Sequence, residues 1–166
     1  MPVFRALKIP KRIRAGDDLE LKLLTVRSWP LLYKLLKEAD VAVIKNLGFP
    51  GNASPLKIVL LSIHLFSWAY IIRYEDKPIG MLGIYHWQPG VQLFITLAVF
   101  KKKFRNKGLG SCVLKALTRH LRAADICIHV LVEVKKDNVR GLNFWKKNGF
   151  RVIQEAHSTI IMKREP

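Results

Sequence analysis

A short glycine-bearing turn between a strand-like run and a helical run is the feature that most constrains this chain. The turn reads Arg105-Asn106-Lys107-Gly108-Leu109-Gly110-Ser111. The apolar run 91–100 leads into it, and the helical pattern 109–121 leads out of it. The first N–H groups of a helix have no partner within the helix, so they can donate to an anion, which the helix dipole also attracts. Glycine at two positions lets a phosphate approach the backbone closely. The stretch therefore predicts a phosphate-binding turn.

Two widespread phosphate motifs are absent from the sequence. It contains no G-x-x-x-x-G-K-[ST], and the turn lacks the third glycine of G-x-G-x-x-G. Basic side chains nevertheless surround the turn, namely Lys101, Lys102, Lys103, Arg105 and Lys107. They favour an anionic ligand, but a solvated helix cap with basic neighbours has the same local composition. Both interpretations stay open from the turn alone.

The charge balance points to anionic partners. The formal net charge is +17 over 166 residues. Such a charge favours polyanions, for example nucleic acid, ribosomes or the phosphates of a cofactor. A solvated basic surface is the alternative, because the excess is spread along much of the chain. The length suits a single domain, residues 1–166. Residues 1–17 form a basic N-terminal segment that is either a mobile arm or a leading strand.

The cysteines and histidines indicate neither a disulfide framework nor a metal site. Cys112 and Cys127 have no metal-ligand spacing, so we expect both to be buried, reduced thiols in a cytoplasmic protein. The five histidines form no H-E-x-x-H or similar cluster, so no metal is predicted. The N-terminus lacks the apolar core of a secretory signal, and the apolar stretch 56–72 is too short for a membrane span. We therefore expect no membrane association.

Hydrophobic periodicity along the chain predicts a domain that contains both strands and helices. Alternating or wholly apolar runs predict seven strands, at 19–26, 68–74, 79–87, 91–100, 126–134, 150–154 and 158–163. Helical spacing and capping residues predict four helices, at 28–40, 54–66, 108–121 and 137–148. The element order is β-α-α-β-β-β-α-β-α-β-β, and residues 46–52 read as a loop.

Two motifs and this element order resemble one known family. The turn matches [RQ]-x-x-G-x-[GA], the acyl-CoA pyrophosphate loop of the GNAT superfamily of N-acyltransferases. Further along, Glu133-Val134-Lys135-Lys136-Asp137-Asn138 and Phe144-Trp145-Lys146-Lys147-Asn148-Gly149-Phe150 resemble that family's V-x-x-x-N … [FL]-Y-x-x-x-G-F segment. The resemblance spans about residues 19–163. It is closest to the ribosomal-protein alanine N-acetyltransferase branch, which shares the Glu-Val-x-x-x-Asn spacing.

The resemblance implies a fold and a cofactor site. The fold would be α+β, with a mostly antiparallel seven-stranded sheet that has a V-shaped split and about four flanking helices. The pantetheine arm of acetyl-CoA would enter between strands 91–100 and 126–134, against the backbone of Ala98, Val99 and Phe100. An N–H near Phe100 would polarise the thioester carbonyl. The pyrophosphate would bind the backbone of Arg105, Asn106, Lys107, Gly108, Leu109, Gly110 and Ser111. Asn138 would contact the cofactor or cap the last helix.

The resemblance also implies catalytic residues. Glu133 matches the general base that takes a proton from the acceptor amine; a surface carboxylate paired with Lys135 or Arg151 is the alternative interpretation. Trp145 stands where many family members carry a tyrosine that protonates the leaving thiolate, and an indole N–H is not a useful acid. Either Trp145 only positions the sulfur, or Tyr85 or water supplies the proton.

Three functions are compatible with these features. The first is an N-acetyltransferase that moves an acetyl group from acetyl-CoA to a primary amine by direct attack. The amine would belong to a small molecule, a protein N-terminus or a lysine, and the enzyme would be a monomer or homodimer. The second, favoured by Trp145, is a weak or inactive CoA-binding regulatory module. The third is a basic protein associated with ribosomes or nucleic acid. His86 and His129 are weaker candidates for the base.

Overall fold

The computed structural model describes residues 10–166, which form one open eight-stranded sheet. The strands are β1 (Arg12–Arg14), β2 (Leu19–Leu23), β3 (Trp68–Tyr74), β4 (Lys77–Gln88), β5 (Gln92–Val99), β6 (His129–Lys135), β7 (Arg151–Glu155) and β8 (Thr159–Arg164). The helices are α1 (Trp29–Lys37), α2 (Val41–Asn46), α3 (Pro55–Leu65), α4 (Leu109–Ala123) and α5 (Val139–Lys147). The strand order is β1-β2-β3-β4-β5-β6-β8-β7. The predicted mixed α and β fold is confirmed, with one strand and one helix more than expected.

β1 is the additional strand. It pairs antiparallel with β2, and Ile13 is buried between the exposed Arg12 and Arg14. Three residues are too few for a period of two to be recognised in sequence. The leading-strand interpretation of the basic N-terminal segment therefore holds for residues 12–14. The first nine residues of that segment lie outside the described part of the chain.

α2 is the additional helix. It covers residues 41–45, for which no element was predicted, and the first residue of the predicted loop. α1 ends at Lys37, and Asp40 then takes the extended backbone conformation of an N-cap residue, with φ −67° and ψ 146°. Six residues give less than two turns of periodicity, so the pattern was too short to separate α2 from α1. The predicted loop at 46–52 is wrong only in its first residue.

Two hydrophobic cores lie on opposite faces of the sheet. Leu93 and Ile95 of β5 pack in the same core as Val113 and Leu114 of α4. Phe100, at the end of β5, belongs to the second core, which also contains buried residues of α1, α2 and α3. Neighbouring residues of a strand point to opposite faces, so one strand supplies both cores. Among the helices of residues 10–166, none is long and apolar enough to cross a bilayer.

The sheet splits between β5 and β6. These strands are parallel and pair only where 92–94 lies opposite 129–131. Beyond that point β6 keeps its antiparallel pairing with β8 as far as Lys135, whereas β5 keeps its pairing with β4 as far as Val99. The two strands therefore diverge, and residues 95–99 of β5 present an unpaired edge. This opening is the predicted V-shaped split.

Candidate active site

A cavity of about 500 Å³ fills the split. Its walls come from the diverging ends of β5 and β6, the phosphate turn before α4, and parts of α2 and α5. The lining residues include Val43 and Asn46 of α2 with its C-cap Leu47, residues 95–99 of β5, Arg105, Asn106 and residues 108–111 of the turn, Glu133 and Val134 of β6, and Asn138, Arg140, Gly141, Asn143, Phe144, Trp145 and Lys147 around α5. Most of the residues predicted to bind the cofactor therefore meet in one place.

The hydrogen bonds at the two ends of β5 show which of its backbone groups face the split. The N–H of Phe100 donates to the carbonyl oxygen of Ile79 at 2.8 Å, which directs this group towards β4. The carbonyl oxygen of Val91 accepts from the N–H of His129, 3.0 Å away, which directs that group towards β6. Backbone groups alternate sides along a strand. The N–H and C=O groups of residues 97 and 99 therefore face the split.

This alternation corrects the predicted pantetheine contacts. The N–H of Phe100 is itself bonded to Ile79, so the N–H that was predicted near Phe100 to polarise the thioester has to belong to a neighbouring residue of β5. The backbone of Ala98 shares the direction of Phe100 and faces β4. Ala98 still lines the cavity, but its backbone groups do not face the split. Val99 also lines the cavity, and its backbone faces the split. The sequence could not show which alternate residues of β5 turn their backbone groups towards the split, because the pairing of β4 with β5 decides it.

The phosphate turn offers a row of unused backbone donors. None of the N–H groups of residues 106–111 donates to a protein acceptor within residues 10–166, and the first bond of the helix runs from Cys112 to the Gly108 carbonyl at 3.1 Å. Gly108 is the N-cap and has φ +75°, and Asn106 has φ +61°. These conformations turn successive N–H groups in one direction, which is how anion-binding nests form. The observed row of donors is one residue shorter than the predicted row 105–111, because the N–H of Arg105 donates to the Lys102 carbonyl at 3.0 Å.

The side chain of Arg105 is also engaged within the protein. Its Nε donates to the Val99 carbonyl at 2.9 Å, and its Nη2 donates to the Phe100 carbonyl at 2.6 Å. Its Nη1 donates to the Asp40 carboxylate at 2.9 Å. Arg105 lines the cavity, but all three of its nitrogens are occupied by these contacts. Lys107, by contrast, is exposed and is not among the lining residues.

Glu133 is the acidic residue in the lining of the cavity. It is exposed between two buried neighbours of β6, Val132 and Val134. Within residues 10–166, no lysine or arginine nitrogen lies within ion-pair distance of its carboxylate. The alternative interpretation, a surface pair with Lys135 or Arg151, is therefore wrong. A solvent-accessible carboxylate that faces the split can reach an incoming amine.

Tyr85 lies near Glu133 but not in the cavity. Its ring packs against Phe66 and Phe94, with ring centroids 6.2 Å and 5.5 Å away, and it is not among the lining residues. Burial, and secondarily the charge of Glu133, raises the pKa of Tyr85 to about 12. A phenol with this pKa stays protonated and is a weaker acid than an ordinary thiol. The placement does not support Tyr85 as the acid that protonates the leaving thiolate.

Trp145 and Asn138 both line the cavity from α5. Trp145 is buried, with its ring edge-on to Phe144 at 4.9 Å and to Phe150 at 5.0 Å. Asn138 is the N-cap of α5, and its Oδ1 accepts from the N–H of Gly141 at 3.0 Å. The capping role predicted as one alternative for Asn138 is thus observed, while a cofactor contact stays a prediction.

Several lining residues were not predicted. Arg140 is one of them, and its Nη2 donates to the Oδ1 of Asn106 at 2.9 Å. This bond links α5 to the phosphate turn across the mouth of the split. A basic residue in the first turn after Asn138 was a signal that could have been used. The α2 residues of the lining had no such signal, because α2 itself was not predicted.

The remaining candidate residues lie elsewhere. His86 is exposed with φ +45° at an irregularity of β4, and neither it nor His129 lines the cavity. Cys127 is buried as expected, and burial raises its pKa to about 11, but Cys112 is exposed, so the expectation of two buried thiols is wrong for Cys112. Within the described range, no three histidine, cysteine, aspartate or glutamate residues are grouped as metal ligands.

The sequence matches a family whose members transfer acetyl groups. The model of the acetyltransferase (GNAT) family matches residues 33–150, which is more than half of the chain. The chain therefore belongs to the GNAT acetyltransferase family, and the resemblance seen in its motifs is confirmed. A curated N-acetyltransferase of Methanocaldococcus jannaschii, itself uncharacterized, is 31% identical over 83 residues, which are 49% of this chain and 51% of that protein. The chain spans about half the length of this curated relative.

Solved structures have the same fold. RimL, a ribosomal L7/L12 alpha-N-protein acetyltransferase, is similar in its apo form with a TM-score of 0.81 and 20% identity, over 93% of this chain and 94% of that chain. RimL in complex with coenzyme A is similar with a TM-score of 0.78 and 21% identity, over 93% of this chain and 97% of that chain. These likenesses show that the eight-stranded arrangement is a GNAT fold.

Proposed function

We propose that this protein is an N-acetyltransferase that moves an acetyl group from acetyl-CoA to a primary amine by direct attack. The observation that carries the proposal is the row of unused N–H donors at residues 106–111, placed at the end of an open strand edge. A solvated helix cap would account for the donors, but it would not account for the cavity of about 500 Å³ beside them. Membership in the GNAT family supports the same conclusion.

The cavity fits the parts of acetyl-CoA. The pyrophosphate would accept from the N–H groups of residues 106–111, with the positive end of α4 adding attraction. The pantetheine amides would complete the open edge of β5 at residue 97 and at the N–H of Val99, as an added strand does. The Val99 carbonyl already accepts from Arg105. One of these N–H groups would face the thioester carbonyl. A single donor aimed at a developing oxyanion lowers the barrier by about 3 kcal/mol.

Glu133 is proposed to be the general base. An alkyl ammonium has a pKa near 10, so it must lose a proton before it can attack at neutral pH. Glu133 would take that proton directly or through one water molecule, because its exposed carboxylate faces the split and has no basic partner within the described residues. The nearby phenol of Tyr85 would stay protonated and could donate a hydrogen bond to this carboxylate.

Trp145 is proposed to position the thiol end of the cofactor rather than to donate a proton. Its ring is fixed between Phe144 and Phe150, and its indole N–H is not acidic at useful pH. The leaving thiolate would then take its proton from water. This arrangement also supports the second candidate, a CoA-binding module with little turnover, because no phenol occupies the usual place of the acid.

Two measurements separate these candidates. Calorimetry with acetyl-CoA is expected to show binding for either candidate, and no binding at millimolar cofactor would contradict both. Release of free thiol with a panel of amines is expected only for the enzyme. The panel includes peptides with a free N-terminus, because the relative RimL acts on the alpha-amino group of a ribosomal protein. Binding without thiol release from any acceptor would leave the regulatory module as the function.

The role of Glu133 has its own test. Glu133→Gln is expected to lower turnover about 100-fold or more, because an amide cannot accept the proton. The affinity for acetyl-CoA is expected to be unchanged. Glu155→Gln is the matched control, since it removes the same charge from an exposed carboxylate on β7 that pairs with Lys136. Equal turnover in the two variants would reject Glu133 as the base.

The net charge of +17 is consistent with work near ribosomes or nucleic acid in the cytoplasm. We keep this as an accompanying property rather than the function itself. Binding to a polyanion as the main function would not explain the open strand edge or the buried ring of Trp145.

A further inference from the structure

Ion pairs join the corner between α1 and α2 to the loop that follows β5. Lys101 Nζ lies 3.5 Å from the Glu38 carboxylate, and Lys102 Nζ lies 3.5 Å from the Asp40 carboxylate. The shortest of the three contacts joins Arg105 Nη1 to Asp40 Oδ2 at 2.9 Å. The contacts connect segments about 65 residues apart in the chain. They therefore fix one wall of the split relative to another.

Arg105 can act as a rigid connector. Its side chain is only 13% exposed, and two of its nitrogens bond the carbonyls of Val99 and Phe100 at the end of β5. A guanidinium is planar and presents its donors in a fixed fork, so these two bonds determine where the third nitrogen points. Asp40 accepts from that third nitrogen. The position of Asp40 is thus tied to the end of β5.

The helix that follows Asp40 depends on such an anchor. α2 has six residues, and a helix this short is not stable on its own in water. Asp40 is its N-cap, but the Asp40 side chain makes no capping hydrogen bond, because its carboxylate is used by Arg105. Val43 and Asn46 of α2 line the cavity, and so does Leu47, the C-cap residue that follows the helix. Whatever holds Asp40 therefore holds one wall of the cavity.

We propose that Asp40 is a positioning residue that, through Arg105, holds α2 as the wall of the split opposite α5, so that α2 and β5 contact acetyl-CoA from two sides. The part that concerns acetyl-CoA rests on the proposed function. The part that concerns α2 does not, because it is a property of the free protein. Asp40 itself does not line the cavity, so it acts through its ion pairs, of which the one with Arg105 at 2.9 Å is shorter than the one with Lys102 at 3.5 Å.

The test compares two variants with the same change of charge. Asp40→Asn keeps the size and the N-cap preference of the residue but removes the charge that Arg105 binds. Asp76→Asn removes the charge of an exposed aspartate in the turn after β3, where Asp76 pairs with Arg73 alone among the ion pairs of residues 10–166. Both raise the net charge by one, so a general effect of charge on anion binding is the same in both.

Hydrogen exchange in the absence of cofactor tests the anchor directly. The amides of residues 43–47 are expected to exchange about tenfold faster in Asp40→Asn than in wild type, because opening of α2 no longer breaks the ion pair. The same amides in Asp76→Asn are expected to exchange as in wild type. Equal exchange in all three proteins would overturn the proposal, and so would faster exchange spread evenly over every helix.

Cofactor binding tests the consequence. Asp40→Asn is expected to raise the dissociation constant and KM for acetyl-CoA about fivefold, with kcat at saturating cofactor within about twofold of wild type, because the chemical groups are untouched. In Asp40→Asn with Arg105→Gln, the loss is expected to equal that of Arg105→Gln alone, since the two residues act as one unit. Additive losses, or equal weakening in Asp76→Asn, would overturn the proposal.

The two proposals fail separately. If the wild-type protein binds no acetyl-CoA, the proposed function is rejected, while the exchange rates of α2 in the free variants still decide whether Asp40 anchors it. If acetyl-CoA binds wild type and Asp40→Asn equally well and α2 exchanges equally in both, the proposed function stands and the anchor is rejected.

Discussion

At the scale of single residues, the phosphate turn depends on backbone angles that few side chains adopt. Gly108 has φ +75°, and a Cβ built there would meet no atom within 4 Å. Glycine therefore suits position 108 because of its backbone conformation and not because a side chain would lack space. Gly110 differs, because a Cβ there would lie 3.2 Å from the ring of Phe144. The two glycines of one motif thus meet different requirements, one for a backbone conformation and the other for space beside Phe144.

A substitution at Gly108 isolates the conformational cost. Gly108→Ala is expected to lower the free energy of unfolding by about 1 kcal/mol, because the left-handed region disfavours a Cβ. Gly108→Asn is expected to cost less, since asparagine adopts this region more readily. Urea denaturation of the two variants measures both values. An alanine variant as stable as the wild type would show that the turn relaxes to another conformation.

At the scale of elements, the short helix α5 has a capping residue at its start and a cavity-lining tryptophan near its end. Its N-cap, Asn138, holds the first turn, and its last turn carries Trp145 in contact with Phe150. Gly141 leaves room for this cap, because a Cβ there would lie 2.3 Å from the Asn138 amide nitrogen and would displace the capping side chain. The cap and the small residue therefore form one unit, which sets where α5 begins and how Trp145 enters the cavity.

The cap of α5 is testable. Asn138→Ala is expected to lower the free energy of unfolding by about 1 kcal/mol, because the Gly141 N–H loses its acceptor. Asn138→Asp keeps an acceptor oxygen and is expected to retain most of the stability. Thermal denaturation, with acetyl-CoA binding measured beside it, gives both effects. Loss of cofactor affinity in the alanine variant beyond its loss of stability would show that the amide also contacts the cofactor, since alanine adds no charge that repels it.

At the scale of the whole molecule, most of the positive charge on residues 10–166 is unpaired. Six basic side chains take part in the ion pairs of this range, whereas the range holds all of the chain's 29 lysines and arginines except Arg5 and Lys8. Three of these six follow β5, in the contacts with Glu38 and Asp40. The rest of the basic surface can therefore attract anions without a loss of internal contacts.

Salt dependence distinguishes a general basic surface from a specific polyanion site. Binding to a single-stranded oligonucleotide is expected to be independent of sequence and weak, with a dissociation constant of roughly 10⁻⁴ to 10⁻⁶ M at physiological salt. The logarithm of the binding constant is expected to fall linearly with the logarithm of salt concentration. A gel-shift titration measures both. Tight binding that depends on sequence and survives at high salt would identify a dedicated nucleic-acid site.

Some features could be read from neighbouring residues alone. Hydrophobic periodicity predicted the seven longer strands, and the glycine turn together with the Glu133 to Asn138 segment indicated the family. These signals are local, because helical periodicity, strand alternation and helix caps each involve residues that are close together in the sequence. The short elements β1 and α2 were missed for the same reason, since they contain too few residues to show a period.

Other features were decided only by tertiary structure. The pairing of β5 with β4 decides that the backbone groups of residues 97 and 99, and not those of Ala98 and Phe100, face the split. The packing of Tyr85 against Phe66 keeps the Tyr85 ring out of the cavity. The sequence by itself determined the family, the order of the main elements and the position of the glycine-bearing turn at the start of α4. The open strand edge, the engagement of Arg105 with Asp40 and the α2 wall arise from contacts between distant segments, which no local pattern records.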